Sequence, residues 1–369
     1  MPRVKEAHTR VVYLSDAPYE GGAERYLVRL AGGLDRKRFE PCLLLPDTRV
    51  LDGVDRLALG AGIPVFRHPA GPFAGTADWR ALLALLRRHR PDIVHLNLPN
   101  PYHAACGWAA PLARLAGARA VVTTEHIADI PAARRRAFLK RLSMPWVSRV
   151  ITISNKHAEL LRQRHGVPGA RLQVIYNGVE DPGPAPPRTV ETFIIACVGK
   201  LEERKGQDVL VEALALLAAR RIDARLVLIG EGPARRELEE SARRLGVTEK
   251  VRFTGASTTV ARELQKAHVL AVPSRIEGLP FTLLEGMAAG AAVLASALPG
   301  LEEVIVPEVT GLLLPPGRPE AWAEALAGLA GDRTRLLRLG AAGRARYAER
   351  YTLARMVQET MAVYDGAMR

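Results

Sequence analysis

Cysteine is scarce in this chain of 369 residues: Cys42, Cys106 and Cys197 are widely separated and odd in number. That argues against a disulfide framework. Each lies in or beside an apolar segment, so buried, reduced thiols in a reducing compartment are expected. Aromatic residues are also few, at 5%. With no helix-turn-helix, zinc or RNA-binding signature, the net charge of +13 alone makes a weak case for a nucleic-acid binder. Long apolar runs are missing as well. The opening "MPRVKEAHTR" is polar and runs straight into a strand-like "VVYLS", and the Ala/Gly-rich stretch 286–301 is short and broken by Pro299. A cytoplasmic protein is expected, able to touch a membrane from that side. No strand is followed by Gly-x-Gly-x-x-Gly, which disfavours a dinucleotide dehydrogenase, and no Asp-x-Asp pair signals a metal.

What is present is an ordinary globular composition, 48% hydrophobic and 25% charged, in a chain long enough for two domains. The charge is uneven. Residues 1–185 carry 27 Lys and Arg against 16 Asp and Glu, whereas residues 186–369 carry 25 against 23. A coding bias toward arginine would enrich both halves alike, so the first half is expected to meet an anionic partner.

Short apolar runs at 10–15, 41–45, 92–97, 118–124, 149–154 and 172–176 read as buried strands. Helical patterns at 23–34, 76–90, 101–116 and 155–165 separate them. The Pro- and Gly-rich "YNGVEDPGPAPPRTVET" then interrupts, and the alternation restarts. Strands follow at 193–199, 224–230, 250–255, 268–274 and 291–296. Helices follow at 205–220, 234–245, 257–266, 279–289, 318–330, 333–349 and 352–366. Two doubly wound, Rossmann-like parallel-sheet α/β domains facing a central cleft are therefore expected: residues 1–178, a linker at 179–190, and residues 191–351. The closing helix, about 352–369, is able to pack back on the first domain. Ligands of such sheets sit at the carboxyl ends of the strands.

Chemistry concentrates in "SRIEGLPFTLLEGMAAG", residues 274–290. Pro280 suits a first helical turn, and Gly278 lets backbone approach a ligand. A helix start with that approach favours an anion. Glu277 then lies in the loop and Glu285 in the helix, on two sides of that anion, where carboxylates can accept sugar hydroxyls. Read alone, two surface carboxylates around an ordinary helix start stay open. In the first half, "DAPYEGGAERYL" puts Gly21 and Gly22 before a helix, either as a second anion approach or as a simple turn. His126 in "VVTTEHIAD" stands just past a strand end, where a packed or solvated histidine is the alternative.

The spacing of Glu277 and Glu285 resembles the Glu-x7-Glu motif of the retaining glycosyltransferases of family 4 (glycosyl transferases group 1), which have the GT-B fold. The resemblance implies that Glu285 holds a nucleotide ribose, that Glu277 contacts the donor sugar, and that Gly278, Leu279 and Pro280 present backbone to the diphosphate. "VGKLEERKGQDVLVEA" (198–213) is similar to the family's diphosphate clamp, implying Gly199, Lys200 and Lys205 at the phosphates. Lys200 stands where the family more often has Arg and lacks its bidentate fork, so Lys205 carries more of the expectation. Gly230, Glu231 and Gly232 match the turn beside the nucleotide. "VIYNGVE", "FTG", "GLEEVI" and "TGLLLPP" complete an ordered match that is strongest from 174 to 317. On the first domain it implies that Gly21 and Gly22 face the diphosphate and the acceptor, and that His126 touches the donor sugar. Asn97, with His95, Asn100 and His103, is placed in an acceptor pocket.

The family implies a metal-independent transfer, with retention, of a hexose from a nucleotide-diphosphate sugar to an acceptor hydroxyl. His126, Glu277 and Lys205 are then the catalytic residues. The donor is a substrate, a UDP-sugar first, and no cofactor is called for. A glycan or lipid-linked acceptor in cell-envelope polysaccharide or glycolipid synthesis is the expected partner. The segment 131–146 interleaves Arg134, Arg135, Arg136, Lys140 and Arg141 with Phe138, Leu139, Leu142 and Trp146, and could lie on an anionic membrane or be an ordinary solvated helix. A sugar-nucleotide epimerase, a two-carboxylate glycosidase and a basic nucleic-acid binder compete. The lysine clamp argues against the glycosidase, and the basic first half against the epimerase.

Overall fold

Strands that are apolar on every position must be covered on both faces, which helical crossovers between parallel strands achieve. The computed structural model describes residues 8–17, 21–48, 51–68, 76–99, 109–126, 134–186, 192–257 and 259–369. The chain divides into two units, Met1–Asn177 with Leu353–Arg369, and Gly178–Thr352.

The first unit holds β1 (Thr9–Leu14), β2 (Phe39–Pro46), β3 (Val65–His68), β4 (Ile93–Leu98), β5 (Ala120–Glu125), β6 (Arg149–Thr152) and β7 (Leu172–Val174). They form one parallel sheet in the order β3-β2-β1-β4-β5-β6-β7. The second unit holds β8 (Phe193–Val198), β9 (Ala224–Ile229), β10 (Val251–Gly255), β11 (Val269–Val272), β12 (Ala292–Ser296) and β13 (Leu312–Leu314), in the order β10-β9-β8-β11-β12-β13. Both are doubly wound. Chain direction across the sheet reverses between β1 and β4 and again between β8 and β11, and ligands gather outside such switch points.

Among the described residues, β3, β13 and the helices Asp52–Gly60 and Pro299–Glu302 escaped the sequence pattern. Two strands of four and three residues are too short to show a period. The helix expected over 279–289 is shorter, Phe281–Ala288, because Pro280 is extended (φ −74°, ψ 138°) and caps it from outside. The helix expected over 101–116 is seen as Ala109–Leu115; residues 101–108, with Cys106 and His103, lie outside the described residues, as does Asn100. As far as Pro184, the expected linker is fastened to the second unit. Val179 N–H donates to Tyr351 O (3.0 Å), and Asp181 accepts two bonds from Arg344 (2.7 and 2.9 Å). Residues 187–190 are outside the described residues. Cys197 is buried and Cys42 half-buried; burial pushes both thiols up to about 12, so both stay protonated.

The closing helix, Leu353–Met368, belongs to the first unit. It comes so close to the helix Gly22–Gly33 that a Cβ at Gly33 would lie 2.6 Å from Val357 Cγ2. Tyr364 is fully buried there. It donates to Tyr13 Oη (3.0 Å), meets His95 Nδ1 (2.6 Å) and packs edge-on against Phe39. Tyr364→Ala removes this anchor, and an aromatic truncation in a core costs about 3–5 kcal/mol. Hydrogen exchange should speed up through β1, β2 and β4 while β8–β12 keep their protection. Equal loss in both units would contradict the assignment of this helix.

Candidate functional site

In the second unit, the switch point between β8 and β11 is built by close backbone approaches. Gly199 and Gly230 directly follow β8 and β9, and a Cβ at Gly230 would stand 2.0 Å from Gly199 O. Leu201 N–H donates to Glu231 O (3.0 Å), and a Cβ on Gly232 would meet Leu201 O at 2.2 Å. The expected turn Gly230-Glu231-Gly232 is thus knitted to the loop after β8. Glu231 itself is exposed and paired with Arg235, whose guanidinium lies 5.5 Å over the Phe253 ring.

After β8 the chain makes one 3₁₀ turn, Glu203–Lys205, and Gly206 turns it into the helix Gln207–Ala219. Gly206 has φ +69°, and a Cβ there would sit 2.1 Å from Pro273 O, so a side chain is excluded twice over. The loop after β11 is tied to this turn. Arg275 N–H donates to Arg204 O (2.8 Å), and the Arg275 guanidinium forks onto Asp208 (2.9 and 2.6 Å) and reaches Glu203 O (2.7 Å). These ties place Lys205 Nζ 2.5 Å from Glu277 Oε2, where Ser274 Oγ also donates (3.1 Å). The pair is mostly sheltered, with 17% and 11% of the side chains exposed, and the Lys205 stem lies beside Gly199.

The structure therefore unites Lys205, Glu277 and Gly199. Lys200 is exposed and lies 3.7 Å from Glu202. Gly278 is backed by the short helix Pro299–Glu302, where a Cβ at Gly300 would come within 2.0 Å of Gly278 O. Leu279 is buried, and Pro280 precedes the helix that carries the half-buried Glu285. A Cβ at Gly286, the next residue, would overlap Leu270 of β11, so the Glu285 turn is pressed onto the sheet. Gly206, Asp208, Ser274 and Arg275 were missed in the sequence.

In the first unit, His126 follows β5 and is buried, its Nε2 2.7 Å from Asn97 Oδ1 and its ring edge-on to Tyr26 at 4.9 Å. Asn97 was expected to line an acceptor pocket. It is instead fully buried, its amide spent on His126, Ala23 O (3.3 Å) and Ser15 Oγ (3.5 Å). His95 is also fully buried, between Thr124 Oγ1 (2.7 Å) and Tyr364.

Gly21 caps the helix Gly22–Gly33 in an extended conformation, and the buried carboxylate of Glu24, three residues on, accepts from Ser15 Oγ (3.4 Å). The spacing is that of the acidic arm of a capping box. The chain's own carboxylate thus stands in the first turn of this helix, while Gly22 remains exposed. Burial pushes Glu24 up to about 7. Behind His126, Glu125 and Lys140 form a buried pair at 2.5 Å, with His157 Nε2 3.5 Å from the same carboxylate. Among the described residues, no group of three or more His, Cys, Asp or Glu side chains could hold a metal ion.

Residues 184–346 match the model for glycosyl transferases group 1, and residues 20–181 the model for glycosyltransferase family 4. The chain is 32% identical over 360 residues to a GDP-mannose-dependent alpha-(1-6)-phosphatidylinositol monomannoside mannosyltransferase of Mycobacterium tuberculosis, covering 89% of this chain and 90% of that protein. It is 28% identical to a D-inositol 3-phosphate glycosyltransferase of Jonesia denitrificans, covering 94% and 91%. Among solved structures, Anabaena Alr3699/HepE in complex with UDP superposes with a TM-score of 0.84 at 20% identity, over 97% of this chain and 100% of that one. Sucrose-phosphate synthase of Thermosynechococcus elongatus gives 0.80 at 21%, over 97% and 99%.

The buried imidazoles generate a pH prediction. Burial pushes His95 and His126 down to about 3 and His157 down to about 4, from an ordinary 6.5. As pH falls through 6.5, the unfolded chain takes up protons that these native imidazoles refuse, so stability is lost on acidification. At about pH 5 each costs about 2 kcal/mol. Glu24 works the other way, because its native carboxyl is protonated below about 7 and the unfolded one only below 4.5, and it offsets about one of the three. The urea midpoint of the first unit should fall between pH 7 and pH 5; a flat profile would contradict the burial of these rings.

Proposed function

The chain belongs to the family-4 glycosyltransferases (glycosyl transferases group 1) and is a glycosyltransferase of the GT-B type; from that premise we propose that it moves a hexose, with retention, from a nucleotide-diphosphate sugar to an acceptor hydroxyl. The observation that carries this reading is the Lys205–Glu277 pair at the β8/β11 switch point. An ammonium has three donors, and Glu277 occupies one. The others are available to the leaving diphosphate, which the backbone of Gly278 and Leu279 also approaches. Glu277 keeps free lone pairs for hydroxyls of the sugar.

As the C1–oxygen bond to the diphosphate breaks, the nucleotide leaves with the electron pair and the sugar becomes oxocarbenium-like. The acceptor oxygen bonds to C1 on the same face, and its proton passes to the departing phosphate. Lys205 stabilises the charge that develops on the leaving group, which is where fixed cations lower a barrier most. With that charge met by protein groups, the reading calls for no metal. Glu285 holds the ribose, His126 acts on a sugar hydroxyl, and the acceptor is a glycan or lipid-linked alcohol of the cell envelope. A UDP-sugar is the first donor to test. The GDP-mannose in the name of the Mycobacterium tuberculosis relative supports a guanine nucleotide as the second reading.

Thermal stabilisation by a panel including UDP-glucose and GDP-mannose separates these donors. Lys205→Ala and Glu285→Ala should each weaken nucleotide affinity about tenfold, or about 1.4 kcal/mol. Calorimetry showing unchanged affinity for Glu285→Ala would remove its ribose role. His126→Ala should lower turnover far more than affinity, and wild-type turnover would remove that assignment.

The expected membrane face is revised by the fold. Lys140 points inward to Glu125, so it is not part of a basic surface, and the side chains of Arg134 to Arg136 and Leu139 lie outside the described residues. Phe138 and Leu142, one turn apart, are 60% and 45% exposed, Trp146 follows at 42%, and Arg141 is exposed beside them. Leu115 adds a further exposed apolar residue, since its neighbour Arg114 donates to Trp146 O (3.2 Å). No described helix is long and apolar enough to cross a membrane. This reading gives peripheral contact with an anionic leaflet, with apolar groups entering the interface. Flotation with anionic vesicles should exceed flotation with neutral ones and drop in Trp146→Ser. Equal failure to bind both would discard the membrane.

A further inference from the structure

We propose that Asn97 is a positioning residue that fixes the tautomer of His126, so that His126 meets its ligand as a hydrogen-bond acceptor through Nδ1. The inference rests on reading His126 as a sugar-facing residue.

Parallel pairing of β4 with β5 sets Asn97 beside Thr124, and His126 N–H donates to Leu98 O (3.2 Å), so the two side chains meet at adjacent strand ends. The two ends of an amide differ: one can only donate, the other only accept. One end of the Asn97 amide faces Ala23 O at 3.3 Å. A backbone carbonyl only accepts, so this end is the NH₂. A flipped amide would set two carbonyl oxygens against each other.

The same NH₂ is directed at Ser15 Oγ, whose hydroxyl donates to Glu24 Oε1. Every donor therefore runs one way, from His126 through Asn97 and Ser15 to the carboxylate. Oδ1 is left facing His126 Nε2 at 2.7 Å, and an amide oxygen requires that nitrogen to carry the proton. A neutral imidazole has one N–H, so Nδ1 holds a lone pair. No described residue bonds Nδ1, and the nearby Tyr26 hydroxyl is occupied with Thr124 (3.3 Å). The matching ligand group is a donor, the O–H of a sugar, and a deoxy sugar lacking that hydroxyl would be discriminated against.

The test is long-range ¹⁵N–¹H correlation on histidine-labelled full-length protein, with the His126 resonance identified by its loss in His126→Gln. Protonation at Nε2 and a lone pair at Nδ1 are expected in the wild type. Asn97→Leu should lose this pure tautomer and lower kcat about tenfold or more, as when an imidazole loses its orienting partner, with nucleotide affinity within about twofold. Asn97→Asp keeps an acceptor for Nε2–H and should restore that form, at a cost in stability because its second oxygen faces Ala23 O. A wild type protonated at Nδ1, or a folded Asn97→Leu variant with the tautomer unchanged, would overturn the proposal. The wild-type spectrum alone decides if that variant does not fold. A wild type that transfers no sugar from any nucleotide would sink the functional reading, whereas the tautomer is measured without turnover.

Discussion

A side chain at residue 206 is sterically impossible, because the carbonyl oxygen of Pro273 occupies the place where its Cβ would be. From that one approach much of the site in the second unit follows. The chain after β8 lies directly on the chain after β11, and the Arg275 fork onto Asp208 locks the two together. Lys205 and Glu277, remote in sequence, then fall into contact. The ion pair is a consequence of backbone packing. An arrangement held this way is organised before a ligand arrives, and less ordering is left to be done when it binds.

The first unit solves a related problem with hydrogen bonds. Ser15, Asn97, Thr124 and His126 all stand at strand ends, and two one-way partners, Ala23 O for the Asn97 NH₂ and the Asn97 amide oxygen for His126 Nε2, give their hydrogen bonds a direction. Buried polar groups are tolerable only when satisfied, and a satisfied network permits few alternative arrangements. The two units therefore hold their strand-end side chains still by different means, close backbone contact in one and directional bonding in the other.

Much of this was legible beforehand. The long strands read clearly because burial on both faces makes them continuous apolar runs, as in "VLAV" of β11. Glu277 stood out beside Gly278 and Pro280, and Lys205 through the resemblance of its segment to the family's clamp. Their supports did not: the partners Asp208 and Arg275 stand 67 positions apart and neither carries a periodic signal. Asn97 was misplaced because only strand register decides which way a strand-end side chain points. Lys140 was counted as a surface cation because summing charge along a helix ignores that one face is buried against Glu125. Glu24 stands three residues beyond Gly21, a spacing that announces helix capping and was there to be seen.

The first unit is not one continuous piece of chain. During translation, residues 8–177 emerge well before the helix Leu353–Met368 that supplies Tyr364, and in the interval Tyr13, Phe39 and His95 lack their cover. The second unit, contiguous from Gly178 to Thr352, can mature sooner despite being made later. Vectorial synthesis would ordinarily finish the earlier unit first; here its completion waits on the helix Leu353–Met368, leaving a nascent intermediate with an unsealed face that is open to aggregation or chaperone capture.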